Sequence, residues 1–261
     1  MAWVLDLDGV VWLAERPIDG AADAVARLRR AGERVLFATN NSWARRAEQE
    51  AKLERMGIPA AGDVVTSAMA AATLVETGER VLVCGGPGIA EAVAERGAEP
   101  VRSGDADAVF VGFHRDFDYE RLRVAATAVR HGARLVATND DATYPTPDGP
   151  IPGGGALAAA VAYASGTTST VAGKPHRPMA DLVRRMAGGE GTVVGDRPET
   201  DGAFAAALGY RFALVLTGVT SEADLPVEPA PDVVARSLAE LVATSPPAQL
   251  RRPRPPNRRS S

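Results

Sequence analysis

The chain has 261 residues and a formal net charge of −4; 46% of the residues are hydrophobic, 24% charged and 5% aromatic. That is the balance of a soluble globular protein, so disorder over the whole length, a coiled coil and a collagen-like repeat are excluded, and the length allows one large domain or two ordinary ones. With 29 Lys+Arg against 33 Asp+Glu there is no compositional sign of nucleic-acid binding, and the single cysteine, Cys84, excludes an intrachain disulfide and fits a reducing, cytoplasmic location.

Taken in chain order, short apolar runs predict strands at 3–7, 35–38, 81–84, 108–111, 135–137, 192–194 and 213–216. Alanine-rich helical patterns lie between them at 21–30, 44–56, 87–95, 119–130, 156–164, 178–186 and 200–208. Strands alternating with helices of this length predict βαβ units and a mostly parallel sheet. The runs are continuously apolar rather than alternating, as strands covered on both faces should be. Residues 202–219 carry one charge, Arg211, but Gly209 divides them into a helix and a strand, so no membrane span is expected. The end of the chain, 246–261, holds five Pro, five Arg and no acid, and is expected to be disordered.

Four places carry polar residues just where an apolar run stops. In an open α/β sheet, ligands bind outside the carboxyl ends of the strands. The first is Asp6-Leu7-Asp8-Gly9: two carboxylates at i and i+2 are costly there unless a cation or proton sits between them. A simple turn after an edge strand would explain the same residues. The second is Thr39-Asn40-Asn41-Ser42, donors suited to an anion beside a helix start, or a helix N-cap formed by Asn41 or Ser42. The third is Gly173-Lys174-Pro175, a lysine held in a fixed loop or an ordinary surface lysine. The fourth is Gly195-Asp196 with Thr200-Asp201 five residues on, suited to a hard cation or to capping the next helix.

The order Asp-x-Asp-Gly, Thr-Asn-Asn-Ser, Gly-Lys-Pro and Gly-Asp-(x)₃-Thr-Asp resembles the haloacid dehalogenase superfamily. The long insert between the second and third motifs, with Asn139-Asp140-Asp141-Ala142-Thr143-Tyr144-Pro145 and Gly153-Gly154-Gly155, is similar to the NagD-like, para-nitrophenylphosphatase subfamily. The resemblance spans roughly residues 1–245. It implies an α/β fold: a doubly wound parallel sheet (a Rossmannoid core) at 1–77 and 171–245, with an inserted α/β cap domain at 78–170.

It also implies an Mg²⁺-dependent phosphatase acting on a small organic phosphate monoester through a phosphoaspartyl intermediate. Asp6 would be the nucleophile and Asp8 the general acid, then base. Thr39, Asn40 and Asn41 would bind the phosphoryl oxygens, and Lys174 would offset charge on nucleophile and phosphate. Asp6, the main-chain carbonyl of Asp8 and Asp196 would hold Mg²⁺, with Asp201 supporting the metal. Tyr144, in the loop 139–145, would contact the leaving group, with Phe113, His114 and Arg115 as further candidates to face the cleft. The small-molecule phosphate ester is the expected partner, with no nucleic acid and no membrane. Relatives of this type often dimerise through the cap, so a homodimer of that kind is a further expectation.

Two other functions share these residues: a non-catalytic phosphate-binding protein, and a phosphomutase or dehalogenase on the same core. Four complete motifs argue against the first. The second carboxylate, Asp8, disfavours a dehalogenase, and the cap type disfavours a mutase. Departures from the family pattern are His176 and Arg177 after Gly-Lys-Pro, Pro198, Gly202, and Trp43, which could alter access to the cleft.

Overall fold

The computed structural model describes residues 1–14, 16–144 and 149–244. The Arg/Pro-rich segment 246–261 and Pro145 of the loop 139–145 lie outside them. The elements run β1 (Ala2–Leu5), β2 (Trp12–Leu13), β3 (Arg16–Pro17), α1 (Ala21–Arg30), β4 (Arg34–Thr39), α2 (Arg46–Arg55), β5 (Val64–Thr66) and α3 (Ser67–Ala72). There follow β6 (Arg80–Cys84), α4 (Pro87–Glu95), β7 (Glu99–Val101), β8 (Ala108–Val111), α5 (Tyr119–Arg130), β9 (Arg134–Ala137), β10 (Thr143–Tyr144), β11 (Ile151–Pro152), α6 (Gly154–Ser165) and β12 (Thr170–Val171). The last are α7 (Arg177–Ala187), β13 (Gly191–Gly195), a π-helical turn at Pro198–Gly202, α8 (Ala203–Leu208), β14 (Arg211–Val215), β15 (Val233–Ala235) and α9 (Leu238–Thr244). No helix among the described residues is long and apolar enough to cross a membrane.

The described residues form two compact units, residues 1–36 with 187–244, and residues 37–186. In the first, parallel strands lie in the order β15-β14-β13-β1-β4. The side chains of β1 are wholly buried, and so is nearly all of β13 and β14, which is why these segments read as unbroken apolar runs. Burial of one such Val or Leu is worth roughly 1.5–3 kcal/mol. β1 lies between β13 and β4, so it is a central strand and the edge-strand reading of Asp6–Gly9 does not hold.

The order also places a topological switch point at β1. The chain leaves β1 towards β4 on one side and returns as β13 on the other, opening a crevice at the carboxyl ends of β1 and β13. Strand β1 stops at Leu5, two residues earlier than the apolar run predicts, because Leu7 begins a turn. Its carbonyl accepts the amides of Val11 (2.9 Å) and Trp12 (3.1 Å), and the Gly9 amide bonds the Trp12 carbonyl at 2.7 Å.

In the second unit β4 continues, its Phe37–Thr39 pairing with β5. A second parallel sheet runs β12-β9-β8-β6-β7 over Arg80–Val171. Its core is made by Leu82, Val109, Val111 and Leu135 from the strands with Ala125, Val129, Ala158 and Val161 from α5 and α6. The contact division falls at 36/37 and 186/187, so this unit holds α2, β5, α3 and α7 as well as the second sheet.

Helix α2 begins at Arg46 rather than at 44, capped by Arg45, whose amide donates to Glu48 Oε2 at 2.8 Å. Asn41 and Ser42 therefore do not cap it. Likewise Asp201 and Thr200 sit within the π-helical turn, ahead of α8.

Candidate active site

The first unit gathers three acids. Leu5 pairs with Val194 in adjacent parallel strands, and the Asp6 amide donates to the Val194 carbonyl at 2.9 Å. Asp6 and Asp196 thus leave neighbouring strand ends side by side. The wide turn after β13 brings Asp201 back to join them. One carboxylate oxygen from each of Asp6, Asp196 and Asp201 lies within 4.8 Å of the others. Asp196 and Asp201 are buried, at 2% and 1% exposure.

Backbone positions hold these carboxylates. The Val219 amide donates to Asp196 Oδ2 at 2.6 Å, and the Arg197 amide to Asp201 Oδ2 at 3.2 Å. Three glycines make room for them. A Cβ on Gly9 would stand 2.5 Å from the Asp196 carboxylate, one on Gly218 1.9 Å from Asp196 Oδ2, and one on Gly195 2.2 Å from the Asp201 carboxylate. Gly9 also has φ +82°, a left-handed conformation that only glycine adopts without strain. The Thr217 hydroxyl donates to the Gly9 carbonyl at 2.5 Å and ties the turn to the loop after β14.

Asp8 is not in this group of three. The turn at Leu7 carries it aside, and its Oδ1 accepts the Trp12 indole N–H at 2.9 Å. The strand-like alternation that would aim Asp6 and Asp8 the same way has already ended.

The second unit gathers Thr39, Asn40 and Lys174. Thr39 closes β4 and its Oγ1 accepts the Asn41 amide at 3.0 Å, leaving the hydroxyl proton for another acceptor. The Asn40 side chain accepts the Lys174 amide at 2.8 Å and donates to the Lys174 carbonyl at 3.1 Å. Gly173 permits this approach, since a Cβ there would meet Asn40 Oδ1 at 2.5 Å. Lys174 is buried, at 3% exposure. Asn41 uses its side-chain oxygen within its own loop, accepting the amides of Trp43 (3.0 Å) and Ala44 (3.3 Å). Ser42 pairs its hydroxyl with that of Thr138 at 2.8 Å.

Of the residues in the inserted segment, Tyr144 stacks on Phe113 with ring centroids 5.0 Å apart. His114 turns the other way, into the interior: it is 3% exposed, and its Nε2 lies 3.7 Å from Cys84 Sγ, with Phe117 edge-on. Burial, then the nearby Arg121, hold its imidazole below the usual histidine range, while burial pushes the Cys84 thiol up to about 11. His114 is therefore corrected from a candidate cleft residue to a packed core histidine. Arg115 is exposed.

Residues 3–99 match the family described as haloacid dehalogenase-like hydrolase, and residues 171–241 a second HAD-hydrolase-like family. A D-glycerol 3-phosphate phosphatase of Mycobacterium tuberculosis is 41% identical over 229 residues, 85% of this chain; the chain spans 64% of that relative's length. A solved glycerol phosphate phosphatase from Mycobacterium tuberculosis, in complex with magnesium, is 38% identical, with a TM-score of 0.84 over 92% of this chain and 75% of that one.

The chain belongs to the haloacid dehalogenase-like hydrolases.

Within that family it is of the NagD-like, para-nitrophenylphosphatase type. A p-nitrophenyl phosphatase from Archaeoglobus fulgidus matches with a TM-score of 0.86 at 29% identity, over 93% of this chain and 98% of that one. The acid cluster of this hydrolase suits a hard cation. All its donors are carboxylate oxygens, with neither His nor Cys in the group. Such a set favours Mg²⁺ or Ca²⁺ over Zn²⁺. Carboxylates this close repel one another when charged, and a divalent ion held among them would offset that repulsion.

Several contributors left no mark in the sequence reading. Gly218 and Val219 follow β14 with no recognisable pattern, and a main-chain N–H has no side-chain signature. Asp140, Asp141 and Asn139 stood in a motif already singled out, but their partners are distant: Asp141 Oδ2 accepts from Asn40 Nδ2 at 3.1 Å, and Asn139 Nδ2 donates to the Asn40 carbonyl at 2.8 Å.

Proposed function

We propose that the protein is an Mg²⁺-dependent phosphomonoesterase for a small organic phosphate. The observation that carries this is the close set Asp6, Asp196 and Asp201 at the ends of adjacent parallel strands. Asp6, Asp196, Asp201 and the Asp8 carbonyl would hold Mg²⁺. When bound, the ion neutralises phosphoryl oxygens and lowers the repulsion that an anionic nucleophile meets.

Asp6 attacks phosphorus. An Asp6 Oδ–P bond forms as the bond from phosphorus to the alcohol oxygen breaks, giving a phosphoaspartyl group. The protonated carboxyl of Asp8 delivers its proton to the departing oxygen. Asp8, now a carboxylate, takes a proton from water; the water oxygen bonds phosphorus, and the Asp6 Oδ–P bond breaks to release phosphate. The hydrogen bond from Trp12 to Asp8 Oδ1 supports this role by fixing the carboxyl's direction. Thr39 donates to phosphoryl oxygens through its hydroxyl, Asn40 through its main-chain N–H, since both of its side-chain N–H groups are taken by Lys174 and Asp141, and Asn41 through its side-chain amide. The Lys174 ammonium offsets charge that builds in the transition state.

Residues 78–170 serve as the cap, with Tyr144 on its Phe113 platform meeting the leaving group. The named relatives act on glycerol 3-phosphate and nitrophenyl phosphate, so a small alcohol or phenol is the leaving group we favour. A homodimer through the cap and a cytoplasmic location belong to the same reading; sedimentation of the purified chain tests the first.

The experiment is hydrolysis of para-nitrophenyl phosphate and a panel of metabolite monoesters, with Mg²⁺ and with EDTA. Mg²⁺-dependent phosphate release is expected. No turnover on any ester, with tight binding of one of them, would instead support a phosphate-binding protein.

A further inference from the structure

We propose that His176 is a positioning residue: its pairing with Asp140 fixes the loop bearing Tyr144 against the loop bearing Lys174, and so sets affinity for the organic part of the substrate. This rests on the phosphatase reading for its kinetic consequence, though not for the contact itself.

His176 Nε2 lies 2.7 Å from Asp140 Oδ2. The two residues are 36 positions apart, in segments that the active site needs together. His176 stands two residues after Lys174, and its amide donates to the Gly173 carbonyl at 2.8 Å, so the ring is carried by the lysine loop itself. Asp140 stands four residues before Tyr144. The next residue, Asp141, accepts from the same Asn40 amide that brackets the Lys174 backbone. Two consecutive carboxylates thus reach two partners, both anchored to Lys174.

The opposite side of this loop has no slack. Amides of Gly153 and Gly155 donate to the carbonyls of Ala142 (2.9 Å) and Asp141 (3.0 Å). A Cβ on Gly155 would stand 2.4 Å from the Asp140 backbone, and one on Gly153 2.3 Å from the Asp141 carbonyl oxygen. Backbone therefore packs directly on backbone there, while the Asp140 and Asp141 side chains reach His176 and Asn40. Both partners of the His176–Asp140 pair are partly exposed, at 36% and 51%, so its effect on binding is modest. Its leverage is geometric: Asp140 stands four residues from Tyr144, whose ring stacks on Phe113.

The test compares wild type with H176A, D140A, the double variant and H176Q, whose amide keeps a donor near the imidazole Nε2 position. Each single variant to alanine should raise KM for para-nitrophenyl phosphate about two- to fivefold, the range of a partly exposed pair. Inhibition by inorganic phosphate, which has no leaving group, should move less than twofold. The double variant should be no worse than either single one, and H176Q should regain most of the loss. Equal shifts in KM and phosphate inhibition, additive singles, or no change would each overturn the proposal. Hydrogen exchange supplies a readout independent of turnover: the peptide over 139–144 should exchange several-fold faster in H176A and not in H176Q. Unchanged exchange in H176A would overturn the contact's role. Wild type without turnover, but with this exchange pattern, would overturn the phosphatase reading and leave the positioning role standing.

Discussion

Asn40 and Lys174 lie 134 positions apart, and the Asn40 side-chain amide closes a pair of hydrogen bonds onto the Lys174 backbone, accepting its N–H at 2.8 Å and donating to its C=O at 3.1 Å. The pair ties the Thr39–Ser42 loop to the Gly173–Pro175 loop. Asn40→Ala leaves the Lys174 N–H and C=O without these partners. The expected cost is about 1–3 kcal/mol, lowering Tm by roughly 2–4 °C per kcal/mol. Calorimetry measures that, and kcat should fall with it because the Lys174 ammonium loses its fixed origin.

Gly9→Ala should be far more harmful than an ordinary Gly-to-Ala change. The left-handed backbone costs about 1–2 kcal/mol with a Cβ present, and that Cβ would stand 2.5 Å from the Asp196 carboxylate. The expected result is weaker Mg²⁺ binding by titration calorimetry with the fold retained by circular dichroism. Gly57→Ala, at φ +79° but with nothing within 4 Å, controls for backbone strain alone and should leave Mg²⁺ affinity unchanged.

Mg²⁺ should stabilise the protein. Three clustered carboxylates repel in its absence, and an ion held at 100 times its Kd adds about 2.7 kcal/mol. A rise in Tm with Mg²⁺ that EDTA reverses is expected in wild type and should vanish in Asp196→Asn. A rise of equal size in that variant would place the ion elsewhere.

Stability should fall as the pH drops below about 6.5, in part through His114. Burial lowers its folded pKa, so between the folded and unfolded values the unfolded chain binds a proton that the folded chain refuses. Stability then rises with pH across that window and is lost on acidification. His114→Gln should flatten this part of the Tm-against-pH profile between pH 7.5 and 5; an unchanged slope would assign the effect to other groups.

The strands β1, β8, β13 and β14 were legible because burial on both faces makes a plain apolar run. The pairs β2–β3 and β10–β11 were not, since two residues per strand carry no periodicity. The stretch Val64–Ala72 was missed because a three-residue strand passes straight into a six-residue helix capped by Thr66. In the site, Asp6, Asp196 and Asp201 were legible since acids at strand ends need a reason to be there. Asn41 and Ser42 looked like helix caps because that role suits their chemistry, yet Asn41 turns its own loop and Ser42 joins Thr138. The partners of Asp140 and Asp141 could not be read, because pairing across 36 and 101 positions is set by the fold.

The most direct test is turnover of para-nitrophenyl phosphate by Asp6→Asn beside wild type, at saturating Mg²⁺ and with folding checked by circular dichroism. Loss of the attacking carboxylate oxygen should lower kcat by at least about a thousandfold, on the order of 4 kcal/mol in the barrier. A variant that turns over at the wild-type rate would contradict Asp6 as the nucleophile.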